Sequence, residues 1–249
     1  MRKKLITANW KMYKTPQQAR EFVVGFLPLA KGHTRDEIVL CPPFVDIPAM
    51  VEAVKGSDIG VGGQDMFWET EGAYTGAISA GMLAAAGCTH VIIGHSERRQ
   101  YFGETDATVN RKLRAALAAG LKPIVCVGEV IQEREAGLTD EVLRRQCSVA
   151  FREISGAEAA PIIVAYEPVW AIGTGKTATP ELAVEAHQVI RTEAAKAFGD
   201  GVAAQMRILY GGSVKPENAK ALMSQTEIDG ALVGGASLDP KSFAAIVKY

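Results

Sequence analysis

The stretch IIVAYEP, residues 162–168, has the pattern from which the fold of this chain is predicted. Its first five residues are apolar or aromatic and lack the alternation of polar and apolar side chains of a half-exposed strand, so they predict a parallel strand covered on both faces. Glu167 follows directly, and Pro168 disfavours helical geometry for the residue before it. We therefore predict that the strand ends at Tyr166 and that the Glu167 carboxylate stands at its carboxyl end.

Runs of the same kind recur along the chain, with helical patterns between them. Such alternation suits either an open doubly wound sheet or a closed barrel, and eight units in about 250 residues favour the barrel. Because no linker or shift in composition divides the chain, the sequence predicts one α/β domain over residues 1–249, a (β/α)8 barrel of eight parallel strands with surrounding helices. The candidate strands are Leu5–Trp10, Ile38–Cys41, Ile59–Gly63, His90–Gly94, Pro123–Val127, Ile162–Tyr166, Arg207–Tyr210 and Ala231–Gly234.

Two helix starts are marked by a threonine followed by a proline, at Thr15-Pro16 and Thr179-Pro180. The threonine hydroxyl can cap the first turn, and proline is tolerated at the first helical position because its missing N–H would have no partner there. Apolar residues at three- and four-residue steps indicate further helices. The predicted helical segments are Ala107–Ala119, Glu141–Ile154, Pro180–Phe198, Pro216–Met223 and Pro240–Val247.

The composition argues against several classes of function. The chain has 27 lysines and arginines against 28 aspartates and glutamates, so it lacks the basic surplus that binds nucleic acid or a membrane surface. No apolar stretch approaches the roughly 20 residues that span a bilayer. Polar residues from Asn9 onward interrupt any signal peptide that Arg2-Lys3-Lys4 would begin. We expect a cytoplasmic protein whose partner is a small molecule.

The cysteines and histidines do not form a metal-binding pattern. Cys41, Cys88, Cys126 and Cys147 are far apart and include no Cys-x-x-Cys pair, which indicates reduced thiols rather than disulfides or a zinc site. His95 lacks a second histidine four residues away, and no cluster of carboxylates suggests a metal. The sequence therefore predicts neither a metal nor a cofactor.

Polar residues and glycines cluster directly after the predicted strands. In a barrel, the carboxyl ends of the strands and the loops that follow them share one face, where active sites lie. The residues expected on this face are Asn9, Lys11, Gln64, His95, Glu129, Glu167, Gly211-Gly212-Ser213 and Gly234-Gly235.

Four of these side chains suit proton transfer on an anionic substrate. The Glu167 carboxylate, beside apolar neighbours at a strand end, suits a general base. His95 precedes what looks like the first turn of a helix, whose partial positive charge disfavours imidazolium and leaves a neutral ring that can donate a hydrogen bond. Asn9 and Lys11 are two residues apart and fall on the same side of the first strand, where an ammonium group can hold an anion.

Glycines after the last two predicted strands indicate a phosphate site. Backbone without side chains at Gly211-Gly212 and Gly234-Gly235 allows close approach, and N–H groups of a short helix after the second pair can point at the phosphate. The segment WAIGTGKT, residues 170–177, resembles part of a nucleotide-binding P-loop, but Trp170 stands where that motif requires glycine. Residues Pro168–Ala178 are better interpreted as a lid that closes over the site.

Several motifs, in the same order along the chain, resemble those of one family. They are Ala8–Lys11 (ANWK), Gly94–Arg99 (GHSERR), Ala165–Gly175 (AYEPVWAIGTG), Tyr210–Val214 (YGGSV) and Leu232–Ala236 (LVGGA). Over essentially its whole length the chain is similar to the triosephosphate isomerases. The resemblance implies a TIM barrel, no cofactor, and interconversion of dihydroxyacetone phosphate and D-glyceraldehyde 3-phosphate in glycolysis and gluconeogenesis.

The resemblance also implies a role for each site residue. Glu167 would move the proton between the two carbons, His95 and Asn9 would polarise the carbonyl, and Lys11 would stabilise negative charge on substrate and enediolate. The substrate phosphate would bind at Gly173, Ser213, Gly234 and Gly235. Lid closure would exclude water and keep the enediolate from eliminating phosphate.

The family is usually dimeric, and the loop around Thr75, residues 72–76, resembles the loop that its members insert into the partner subunit. The resemblance thus implies a homodimer. Many members have glutamate where this chain has Ala77, so a cross-subunit ion pair is lost; an exposed pair is worth about 0 to 1 kcal/mol, and we expect the dimer to survive. Cys126 matches a family cysteine and is interpreted as a packing residue.

Two other functions use similar residues. A Schiff-base aldolase on the same barrel would use Lys11 as a nucleophile, and borohydride trapping would reveal its adduct. A sensor protein that binds sugar phosphates without turnover would keep the pocket and lack the base. The presence of Glu167 argues against the sensor.

Overall fold

The computed structural model describes residues 2–172 and 177–249, and its eight strands close into a parallel barrel in chain order. Each strand pairs with its neighbours along the chain, and the last pairs with the first. The prediction of a (β/α)8 barrel is confirmed. The strands are β1 Leu5–Asn9, β2 Glu37–Cys41, β3 Ile59–Gly63, β4 His90–Ile93, β5 Lys122–Val127, β6 Ile163–Tyr166, β7 Arg207–Tyr210 and β8 Gly230–Val233.

Helices surround the barrel: α1 Pro16–Ala30, α2 Ile47–Ala53, α3 Ala80–Ala85, α4 Ser96–Tyr101, α5 Asp106–Ala118, α6 Ile131–Glu135, α7 Thr139–Ala150, α8 Pro180–Phe198, α9 Asp200–Gln205, α10 Pro216–Met223 and α11 Pro240–Val247. Short 3₁₀ turns cover Phe44–Asp46, Val169–Ala171 and Gly235–Ser237. Among the residues described, none of these helices combines the length and the apolar character needed to cross a bilayer.

The predicted helix bounds are correct where proline marks the start. The segments that begin at Pro180, Pro216 and Pro240 are helices with the predicted bounds, and Thr15 caps α1 through a reciprocal pair of hydrogen bonds with Gln18. The predicted helix Glu141–Ile154 instead runs from Thr139 to Ala150. No sequence pattern predicts α2, α3, α6 and α9, because helices of five to seven residues are too short to show a repeated apolar spacing.

Most strand residues are apolar because both faces of the sheet are buried. In β6, Ile163 and Ala165 belong to the cluster inside the barrel, whereas Val164 and Tyr166 belong to the larger cluster between sheet and helices. Successive side chains of a strand point to opposite faces, so both sets must be apolar. This packing leaves the polar side chains of the site at or just beyond the carboxyl ends of the strands.

All four cysteines are buried free thiols. Burial raises the pKa of each thiol, because it penalises the thiolate, and that of Cys88 reaches about 11. These surroundings suit packing rather than nucleophilic chemistry.

His187 lies in α8 and is fully buried. Its Nδ1 is 2.9 Å from the carbonyl oxygen of Glu227, and its ring packs edge-on against the ring of Tyr166. Burial lowers the pKa of His187 to about 4, because the imidazolium form would be desolvated.

This pKa makes the protein sensitive to acid. The unfolded chain binds a proton on His187 near pH 6.5 and the folded chain only near pH 4, so stability falls as the pH drops through this window. We expect the residue to lower the free energy of unfolding by about 2 kcal/mol between pH 7 and pH 5. Urea unfolding at fixed protein concentration measures the loss, which should be smaller in His187→Gln. An identical pH dependence in the variant would contradict this expectation.

Candidate active site

The predicted site residues lie around one cavity of about 340 Å³ at the carboxyl ends of the strands. The cavity is also lined by Trp10, Ile172 and the glycines after β7. Gly173, which the sequence analysis places at the phosphate, lies outside the described residues. The predicted residues that line the cavity are Asn9, Lys11, His95, Glu167, Ser213, Gly234 and Gly235.

The Glu167 carboxylate is held by two donors at the start of α4. Its Oε1 is 2.9 Å from His95 Nε2, and its Oε2 accepts a hydrogen bond from the backbone N–H of Ser96 at 2.9 Å. The residue is 2% exposed, so neither bond competes with bulk water. Ser96 is predicted from the sequence only as part of a helical turn. Its N–H is a donor because the first N–H groups of a helix lack partners within the helix.

Glu167 is ionised in this arrangement. Burial raises the pKa of its carboxyl group, but His95 and the Ser96 N–H lower it by more, so the pKa lies below its ordinary value. A buried carboxylate that is charged is ready to accept a proton.

His95 occupies the N-cap position of α4. Its Nδ1 accepts a hydrogen bond from the backbone N–H of Glu97 at 3.3 Å, which assigns the ring proton to Nε2, the atom facing Glu167. Burial lowers the pKa of His95, but the Glu167 carboxylate raises it by more, so the pKa lies above its ordinary value. The prediction of a neutral His95 ring rests on the partial positive charge at the start of α4 alone. The tertiary contact with Glu167 works against it.

Two glycines provide the space that Glu167 occupies. A Cβ on Gly128 would lie 1.7 Å from the carbonyl oxygen of Glu167, and a Cβ on Gly211 would lie 2.9 Å from its Cγ. The backbone N–H of Glu167 donates to the Val127 carbonyl at 2.7 Å, which ties the end of β6 to β5. The position of the carboxylate thus depends on close contacts from both neighbouring strands.

Lys11 leaves β1 with a φ of 51°, an uncommon value for a residue with a side chain. Its backbone N–H donates to Asn9 Oδ1 at 3.0 Å, and its Nζ lies 2.6 Å from Glu97 Oε1. Asn9 and Lys11 therefore reach the same cavity, as their spacing predicts. Glu97, which the sequence analysis does not select as a site residue, holds the ammonium group in place.

The turn after β8 lines the same cavity with Gly234, Gly235 and Ala236. Residues Gly235–Ser237 form a 3₁₀ turn in which the Ser237 hydroxyl donates to the Gly234 carbonyl at 2.7 Å. Trp10 Nε1 donates to the Ser237 carbonyl at 3.2 Å and so connects this turn to the loop that carries Lys11. Glycines in such a turn allow an anion to approach the backbone closely.

The family model described as triosephosphate isomerase matches residues 4–249 of the chain. The chain is 58% identical over 249 residues to the triosephosphate isomerase of Moorella thermoacetica, covering 100% of this chain and 99% of that one. It is 55% identical to that of Solibacter usitatus, covering 100% of both chains. The chain belongs to the triosephosphate isomerase family.

The triosephosphate isomerase family interconverts dihydroxyacetone phosphate and D-glyceraldehyde 3-phosphate, and the prediction of an isomerase is confirmed. The aldolase and sensor alternatives are less consistent with this family. In the described part of the chain, no three His, Cys, Asp or Glu side chains are placed to hold a common metal ion.

Glu129 fastens the beginning of the predicted lid of this isomerase to the barrel. Its fully buried carboxylate accepts hydrogen bonds from the Tyr166 hydroxyl at 3.1 Å and from Trp170 Nε1 at 2.8 Å. The Val169 N–H donates to the Glu129 carbonyl at 3.1 Å. The lid prediction spans Pro168–Ala178, of which residues 173–176 lie outside the described residues.

Gln64 holds the strained backbone of Lys11. Its Nε2 donates to the Lys11 carbonyl at 2.8 Å and to the Cys41 carbonyl at 2.9 Å. Gln64 is predicted from the sequence to lie on the catalytic face, without a role. The structure supplies one, because these two bonds connect the ends of β1, β2 and β3.

We expect Gln64→Met to lower kcat/KM by about 10-fold, since it keeps the length of the side chain and removes both donors. Lys11 would then relax from its positive φ and move its ammonium group. Steady-state kinetics with glyceraldehyde 3-phosphate measures the loss. Gln188→Met, on the exposed face of α8, is the control that should leave kcat/KM unchanged; equal activities for the two variants would contradict the role of Gln64.

Proposed function

We propose that Glu167 is the single base of the isomerisation. Its carboxylate takes a proton from C1 of dihydroxyacetone phosphate, and the resulting enediolate receives it back at C2 to give D-glyceraldehyde 3-phosphate. The observation that carries this proposal is the convergence of a charged, buried Glu167 carboxylate and the His95 Nε2 at 2.9 Å on one wall of the cavity. No other carboxylate predicted for the site has this placement.

We propose that His95 is the electrophile. When substrate enters, its carbonyl oxygen replaces Glu167 Oε1 as the acceptor for the His95 Nε2–H. Loss of the carboxylate contact leaves burial and the end of α4 acting on the ring, and both favour the neutral imidazole. The neutral-ring prediction therefore applies to the substrate complex, where His95 polarises the carbonyl and moves protons between the enediolate oxygens.

Lys11 and Asn9 complete the electrostatic part of the site. The Lys11 ammonium group stabilises the negative charge of the substrate phosphate and of the developing enediolate, and the Asn9 amide assists at the carbonyl oxygen. The phosphate itself binds the backbone at Gly234 and Gly235 and at Ser213, together with Gly173 in the lid. These groups supply N–H donors rather than a second cation.

The lid is proposed to close over the bound substrate. Closure exchanges the water around the enediolate for fixed donors and holds the intermediate in a conformation that does not eliminate phosphate. The Glu129 contacts at Val169 and Trp170 support this proposal, because they give the segment a fixed base from which to move.

Turnover of dihydroxyacetone phosphate in D₂O, with and without borohydride, tests these roles. Proton transfer by Glu167 predicts deuterium on the product carbon next to the carbonyl, and no adduct on reduction. A covalent adduct at Lys11, located by mass spectrometry, would instead establish the Schiff-base chemistry of an aldolase.

We also propose a homodimer formed through the loop around Thr75. Residues 71–77 are all exposed in the single chain, and Tyr74 is 45% exposed with its ring 4.6 Å from that of Phe67.

Sedimentation equilibrium tests the dimer. The native chain is expected at twice the mass of one chain, and Tyr74→Glu, which puts a charge in the proposed interface, is expected to dissociate it. Val24→Glu, a change on the exposed face of α1, is the matched control and should remain dimeric. A native monomer at micromolar concentration would contradict the proposal.

A cytoplasmic location and a single domain over residues 1–249 complete the proposed function. The buried free thiols suit a reducing compartment. The family match extends from residue 4 to residue 249 without a break.

A further inference from the structure

The guanidinium group of Arg99 bridges the ends of β4 and β5. Its Nε donates to the Gly94 carbonyl at 2.9 Å, and its Nη2 donates to the Cys126 carbonyl at 3.3 Å. Its Nη1 lies 2.5 Å from Asp106 Oδ1, at the start of α5. One planar group thus bridges two strand ends and a helix.

The two carbonyls are at the point where the pairing of these strands stops. The register between β4 and β5 ends with Ile93 opposite Val125, so Gly94 and Cys126 are the first residues beyond it. Gly94 has a φ of 74°, which turns the chain away from the ladder. Arg99 joins the strands by hydrogen bonds where the backbone no longer does.

Each carbonyl belongs to a residue next to the proposed chemistry. Gly94 directly precedes His95, whose Nε2 faces the Glu167 carboxylate. Cys126 directly precedes Val127, whose carbonyl accepts a hydrogen bond from the Glu167 N–H at 2.7 Å. The Arg99 side chain therefore touches the backbone of both neighbours of the Glu167–His95 pair without lining the cavity itself.

The guanidinium group is closely packed. The Arg99 side chain is 20% exposed, and a Cβ on Gly94 would meet Val109 at 2.9 Å and Arg99 Nη2 at 3.3 Å. A planar fork of donors can serve two carbonyls and a carboxylate at once, whereas an ammonium group on a flexible stem cannot keep all three directions.

We propose that Arg99 is a positioning residue for the isomerisation, which sets the distance between His95 and Glu167 by clamping the Gly94 and Cys126 carbonyls. This inference rests on the proposed roles of His95 and Glu167. The proposed phosphate-binding residues Ser213, Gly234 and Gly235 lie on the loops after β7 and β8 and are not among the groups that Arg99 contacts. We therefore expect Arg99 to act on the chemical step and not on the affinity for phosphate.

Arg99→Lys tests the proposal because it keeps the charge and removes the fork. We expect kcat to fall by about 30-fold, with KM and the inhibition constant of inorganic phosphate within about threefold of the native values. Asp106→Asn is the matched control: it removes the ion pair and leaves both carbonyl bonds, so kcat should stay within about threefold.

The proposal is overturned if Arg99→Lys, folded by circular dichroism, retains native kcat, if its loss appears in KM and phosphate affinity instead, or if Asp106→Asn loses as much kcat. Should Arg99→Lys fail to fold, Arg99→Gln, which keeps a planar donor group, is measured in the same way. The roles of His95 and Glu167 are judged separately, by deuterium incorporation in the native protein, so failure of the clamp leaves them standing.

Discussion

We expect Glu167→Asp, which shortens the side chain by one methylene, to lower kcat by on the order of 100-fold, with KM within about threefold of the native value. The variant keeps a carboxylate and withdraws it from the substrate carbon. The phosphate contacts, which lie on other strands, are not changed. A coupled assay with dihydroxyacetone phosphate measures both constants.

The size of this effect follows from how tightly Glu167 is held. Its backbone is fixed by the Val127 carbonyl, and Gly128 and Gly211 pack against it, so the shorter side chain cannot move forward to recover the lost distance. Glu185→Asp makes the same chemical change on the exposed face of α8 and should leave both constants unchanged. Native turnover in Glu167→Asp would remove Glu167 from the mechanism.

The second large effect is expected for Gly128→Ala. The added Cβ would lie 1.7 Å from the carbonyl oxygen of Glu167 and 2.6 Å from its carbonyl carbon. Backbone atoms of a barrel strand cannot move aside cheaply, so the end of β6 shifts and carries the carboxylate with it. We expect kcat to fall by on the order of 100-fold and the free energy of unfolding to fall by about 2 kcal/mol.

Gly201→Ala is the matched control for this prediction. Gly201 lies in α9, and a Cβ there would meet no heavy atom within 4 Å. Alanine has the higher helix propensity, so this variant should be about 0.5 to 1 kcal/mol more stable and fully active. Urea unfolding and the coupled assay are applied to both variants. Native activity in Gly128→Ala would show that the contact is absent in solution.

The barrel and its strands follow from local patterns. All eight predicted strands exist, and their bounds differ from the observed ones by at most one residue at either end. In β6 the observed strand begins one residue after the predicted start, because the Ile162 N–H donates to the Ala159 carbonyl in a turn. The helix predicted to reach Ile154 ends at Ala150, and Glu153 with a φ of 59° cannot continue it.

The site is only partly accessible from sequence. Asn9, Lys11, His95 and Glu167 are predictable because chemically reactive side chains at strand ends must share one face of a barrel. Gln64, Arg99 and Gly128 act through contacts with backbone atoms far away along the chain. No local spacing or composition marks such contacts. From the sequence, the three residues are therefore indistinguishable from an ordinary polar loop residue, a helical arginine and a glycine.

Local sequence patterns predict the alternation of strands and helices, the strand ends and the reactive groups, because these depend on burial and on neighbours within a few residues. The closed barrel decides the rest: it brings His95 from β4 against Glu167 from β6, and this contact raises the pKa of one residue and lowers that of the other. A pKa depends on charges and burial within a few ångströms. Only the folded chain creates those surroundings.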